Sequence, residues 1–180
     1  FNQTEGNPMF VTEVVRLLNE EGALEANAAA GSITQALRVP IGVREAIGGR
    51  LNHLPQDVND SLTFASIIGH EFGLRELQVV VEQDDSAKLL DDMDRAVLSG
   101  MIEEVEGSPG RYRFVHMLTQ QVLSDQLSQT RRTILHSEIG AALEELYGVN
   151  VVPHAAELAR HFSEAAPLIG PQKQIHYSVL

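Results

Sequence analysis

The sequence predicts a mainly α-helical chain that carries one β-hairpin. Two observations lead to that class. Apolar residues recur at spacings of three and four through most of the 180 residues, the period of helices that bury one face. One stretch, from Met101 to Val115, instead shows short β-branched and aromatic segments around a Gly/Pro turn. A 43% apolar content excludes a disordered chain, and no apolar run of about 18 residues offers a membrane span. Thirteen basic residues against 25 acidic ones leave a net charge of −12. Residues 1–90 hold 6 basic and 13 acidic side chains (−7) and residues 91–180 hold 7 and 12 (−5), so neither half has the charge of a polyanion binder. With no Cys there is neither a disulfide framework nor a thiolate metal site. The cytoplasm is therefore the expected compartment. The chain begins at Phe1 without an initiator Met or a signal segment, and reads as a piece of a longer protein.

Each element has its own punctuation. Asn7 and Pro8 form an N-cap and first turn, and Phe10, Val11, Val14, Leu17 and Leu18 continue a helix that Gly22 stops. Residues 23–37 are weakly patterned. After Pro40 and Gly42, the series Val43, Ile47, Leu51, Leu54 predicts a second helix despite Gly48 and Gly49, and Pro55 closes it. Val58, Leu62, Ala65 and Ile68 give one face of the next helix, ended by Gly69, and a short helix follows over 74–81. Ser86 is the expected N-cap for a helix carrying Leu89, Leu90, Met93, Val97 and Leu98, with Gly100 in the left-handed position after it.

The hairpin comes next, Met101 to Val105 and Arg111 to Val115, around Glu106-Gly107-Ser108-Pro109-Gly110. Helix resumes over about 117–127 and again over 130–147, where Ile134, Leu135, Ile139, Leu143 and Leu146 form a stripe and Gly148 the stop. Pro153 opens a further helix lined by Ala155, Leu158, Ala159 and Phe162, with Pro167 and Gly170-Pro171 expected to break it and a last helix beginning near Gln172.

Three helices followed by a two-stranded hairpin is the order of a winged-helix domain. Particular residues carry a closer resemblance. Thr4-Glu5-Gly6-Asn7-Pro8-Met9-Phe10-Val11, Val39-Pro40-Ile41-Gly42-Val43-Arg44-Glu45-Ala46-Ile47, Ala65-Ser66-Ile67-Ile68-Gly69 and Gly110-Arg111-Tyr112-Arg113-Phe114-Val115-His116 occur in that order. So arranged, the chain from about Thr4 to Phe162 resembles the C-terminal arm of STAND-class AAA-type ATPases, the predicted ATPases fused to LuxR-type regulators, adenylate cyclases or kinase domains. The resemblance implies three consecutive pieces: a helical lid portion over 1–54, a winged helix over 55–127, and the start of TPR-like helical repeats over 128–180.

It also implies a site. The Gly-x-Pro segment of that class sits in the lid with its Pro against the adenine, which here means Gly6, Asn7 and Pro8. ATP or ADP is thus implied for the longer protein, with no cofactor held by this piece alone. Its partners would be its own ATPase core in cis and a protein partner or further copies of itself. No G-x-x-x-x-G-K-[ST] phosphate loop and no acid-terminated apolar strand is present, so the piece is not expected to hydrolyse ATP or to act as an enzyme.

Two readings compete with a regulatory arm. A winged-helix DNA binder would use the wing residues Arg111 and Arg113, but Asp91, Asp92 and Asp94 on the third helix would repel phosphates. A helical-repeat docking module would place its partner surface in residues 130–180. The acids from Asp84 to Asp94 lack the Gly and Glu positions of an EF-hand loop and read as a solvated face. His154 and His161, seven apart, lack the spacing of a metal pair and are expected at the surface or in end packing, and His116 is expected to be a hydrogen-bonded structural residue. No metal ligands and no catalytic residues are expected.

Overall fold

The sequence period becomes helix nearly everywhere it is described. A computed structural model describes residues 41–81 and 85–179. In chain order these are α1 (Ile41–Asn52), α2 (Gln56–Ile68), β1 (Glu71–Gly73), α3 (Leu74–Val80), α4 (Ser86–Leu98), β2 (Ile102–Glu104), β3 (Arg111–Phe114), α5 (Met117–Asp125), α6 (Gln129–Tyr147), two 3₁₀ turns (Gly148–Asn150 and Val152–His154), α7 (Ala155–Ile169) and α8 (Gln172–Ser178). The helix expected from Asn7 to Gly22 and the weakly patterned 23–37 lie outside the described residues.

The single hairpin was an incomplete expectation. Glu71–Gly73 adds a third strand, giving an antiparallel sheet in the order β1-β3-β2. Phe72 stands opposite Tyr112, and Ile102 opposite Phe114. The Phe72 ring then packs against those of Tyr112 and Phe114, with centroids 6.0 and 5.8 Å away. Gly107 and Gly110 supply the positive φ values, 76° and 77°, that turn the chain between β2 and β3.

Helix ends follow local chemistry, with two corrections. Asp85, not Ser86, caps α4: its carboxylate accepts from the Ala87 and Lys88 N–H groups at 3.0 and 3.1 Å. Ser86 is the first helical residue and its hydroxyl accepts from the Gln78 side chain. Pro167 does not break α7 but lies inside its last turn. Ser163 and Pro167 are both exposed, so the carbonyl that loses its intrahelical partner faces water, and the helix runs on to Ile169. Gly100, as expected, follows α4 with φ 72°.

One apolar cluster runs from Ile47 to Tyr177. Val58, Leu62, Ala65 and Ile68 of α2 are its centre, with Leu77 of α3, Leu89 and Met93 of α4, the sheet aromatics and Leu118 of α5 around them. Burying each such large side chain is worth about 1.5–3 kcal/mol. Helix α6 packs on α2 and α3, α7 packs on α6, and α8 on α7. Helices α6 and α7 run antiparallel, since His136 meets His161 while Tyr147, further along α6, meets His154 and Glu157 before it. Among the described residues no helix is long and apolar enough to cross a membrane.

Candidate functional site

Strand β3 and helix α4 hold the residues a nucleic-acid contact would need. Alternation along β3 buries Tyr112 and Phe114 and turns Arg111 and Arg113 outward. The sheet then brings a carboxylate within reach of each arginine. Arg111 stands opposite Gly73 of β1 and reaches diagonally to Glu71, pairing with it at 3.0 Å, and to Glu76 of α3 at 3.6 Å. Arg113 stands opposite Glu103 of β2 and pairs with it at 2.6 Å. Glu76 also accepts from the Gly73 N–H at 2.7 Å, which holds the start of α3. Both candidate DNA-contact residues are therefore already neutralised within the sheet.

Helix α4 is acidic on both faces. Asp91 and Asp94 are exposed, whereas Asp92 is only 4% exposed against α2. Burial, with the nearby Asp57 charge, pushes the Asp92 carboxyl above its ordinary range. Asp57 is held below its own by Lys88, which it pairs at 3.2 Å. Burial raises the Tyr112 hydroxyl, and the Glu104 and Asp94 carboxylates add to that shift. The surface presented by α4 and β2 is thus negative where a winged-helix DNA reader needs positive charge.

Gly6, Asn7 and Pro8, the nucleotide-contact residues that the resemblance implies, lie outside the described residues. His116 is buried, with 7% of its surface exposed. Among the described residues no group of three or more His, Asp or Glu side chains is arranged to hold a metal.

His154 and His161, both expected at the surface or in end packing, differ in their placement. His154 precedes α7 as its N-cap and stacks on Tyr147 with centroids 3.6 Å apart, while His161 is fully buried inside α7. The partner of His161 is His136 of α6, with the two Nδ1 atoms 3.0 Å apart. Burial holds His136 at about 4 and His161 at about 2, with the Arg160 charge adding to both shifts. Sequence reasoning missed this pair. The one signal for it was Gly140, a turn after His136, where an added Cβ would lie 2.9 Å from the Phe162 ring and 3.3 Å from the His161 Cβ. A glycine inside an otherwise strong helix marks such a close approach.

No family model matches the chain, and no curated protein and no solved structure matches it either.

Proposed function

We propose that this chain is the regulatory and interaction arm of a STAND-type signalling ATPase, of the kind that serves as a transcriptional regulator, in which a winged helix acts as an intramolecular module. The observation that carries the reading is the element order α2-β1-α3-α4-β2-β3 with the sheet order β1-β3-β2. The resemblance calls for three helices followed by a two-stranded hairpin, and α2, α3 and α4 with β2 and β3 keep that order around one core, with the short β1 added beside β3. The antiparallel α6 and α7, with α8 packed behind, support reading the last third as the opening of a helical repeat. In this reading Gly6, Asn7 and Pro8 sense the adenine of ATP or ADP on a core supplied by the longer protein. The winged helix moves with that lid and holds the protein closed or frees it for assembly.

The test lies in the longer protein. Asn7→Ala combined with Pro8→Ala is expected to weaken nucleotide affinity and speed nucleotide exchange, and unchanged values for both would remove the sensing role. The DNA-binding alternative is weighed by the pairing of Arg111 and Arg113 with glutamates. A low-salt anisotropy titration of the 180-residue chain with duplex DNA is expected to give no binding that weakens with rising salt. Salt-dependent binding would favour the DNA reader instead.

A further inference from the structure

The joint between α2 and α7 contains three nitrogen-bearing side chains in a row. Arg160 lies at the C-terminal end of α2, where the last carbonyls of a helix lack intrahelical partners and attract cations. Its Nη2 donates to the Ile68 carbonyl, and its Nη1 reaches the Ile67 carbonyl at 3.5 Å. The same Nη2 is 2.9 Å from His161 Nε2. A guanidinium has only donors, so His161 Nε2 accepts and its ring proton sits on Nδ1. That proton is then directed at His136 Nδ1, 3.0 Å away, which must accept, leaving the His136 proton on Nε2.

The hydrogen bonds therefore run in one direction, from Arg160 to His161 to His136, and both imidazoles must be neutral for the series to exist. A proton added at His136 Nδ1 would set two N–H groups against each other. One added at His161 Nε2 would face the guanidinium. The charged neighbours favour the same state. Arg160 and Arg132 act on His136, and Arg160 acts on His161. Glu157 and Glu164 of α7 act on Arg160. Helix α2 contributes the carbonyls of Ile67 and Ile68, of which Ile68 pulls His161 towards its charged form. Helix α3, also packed on α6, directs Glu76 to the Tyr147 hydroxyl.

We propose that Arg160, His161 and His136 form a proton-sensitive latch that holds α7 on the end of α2 at neutral pH and releases it in acid. The device couples the C-terminal helices to the sheet-bearing core, and it stands whether or not the ATPase reading does. Imidazole ¹⁵N shifts of the unmodified chain are expected to show the Nδ1–H tautomer for His161 and the Nε2–H tautomer for His136, with neither ring titrating above pH 5. The ratio of hydrogen-exchange rates in α7 and α4 of the same sample, in which the slowing of base-catalysed amide exchange cancels, is expected to rise at least about tenfold between pH 7 and pH 4.5. His136→Gln keeps an acceptor without a titrating proton and is expected to cut that response at least about fivefold, the remainder coming from His161. The opposite tautomers, a ring titrating near its ordinary value, α7 and α4 exchanging in parallel, or a full acid response in His136→Gln would each overturn the latch. Should that variant not fold, the ¹⁵N shifts of the unmodified chain still decide.

Discussion

Gly140 of α6 sits tight against Phe162 and His161 of α7, and its hydrogen matters more than its backbone freedom. Replacing glycine by alanine within a helix ordinarily gains about 1 kcal/mol. Here the new Cβ would lie 2.9 Å from the ring of Phe162, itself 1% exposed and unable to tilt into solvent. Overpacking of that kind costs about 1–3 kcal/mol, so the packing loss wins. Gly140→Ala is expected to lower stability by about 1 kcal/mol in urea unfolding, after the propensity gain is subtracted. Gly48 and Gly49 of α1 have nothing within 4 Å of an added Cβ. The same substitution there is expected to raise stability by up to about 1 kcal/mol per site. If all three glycines gave the same sign, the close approach at Gly140 would not be limiting.

At the scale of an element, the start of α4 separates two candidate caps one residue apart. The Asp85 carboxylate takes two backbone N–H groups that the helix cannot satisfy itself. Asp85→Ala is expected to cost about 0.5–2 kcal/mol, and Ser86→Ala clearly less, because the Ser86 hydroxyl makes only a solvent-exposed hydrogen bond with the Gln78 side chain. Equal losses at both positions would return the cap to Ser86. Asp84-Asp85-Ser86 offers three residues with capping side chains, and the sequence alone does not order them. Burial of Leu89 and Met93 against the core fixes which one falls at the boundary. The long helices were legible because they repeat the 3.6-residue period over several turns. Strand β1 was not, because three residues carry no period and become a strand only through β3. The β3 arginines were legible as positions, but their neutralisation depended on the strand pairing that sets Glu103 opposite Arg113 and Glu71 beside Arg111. The pairing of His136 with His161 spans 25 positions and arises from the packing of α6 on α7, of which Gly140 is the one local sign.

Across the whole molecule, the buried titratable groups give stability a pH dependence with a definite sign. His136 is held at about 4, below its ordinary 6.5, so between those values the unfolded chain binds more protons than the folded one. Stability is then greatest above about pH 6.5 and is lost as pH falls through this window, with His161 extending the loss further into acid. Each unit of displacement is worth about 1.4 kcal/mol, which makes the loss a few kcal/mol, a large part of the ~5–15 kcal/mol that holds a domain together. Glu144 adds to it. Burial acts to raise that carboxyl, but Lys173 and the Tyr177 hydroxyl outweigh burial and hold it below its ordinary range, so its contribution also fades in acid. Asp92 opposes them: burial and Asp57 raise its carboxyl, so it is best tolerated when protonated and destabilises the fold as pH rises. Urea unfolding between pH 4 and pH 8 is therefore expected to show stability rising up to about pH 6.5. Asp92→Asn is expected to raise stability more at pH 7 than at pH 4, which makes the acid loss steeper. A variant no more stable than the parent at pH 7 would mean that the buried carboxylate has a compensating partner and that the histidines alone set the profile.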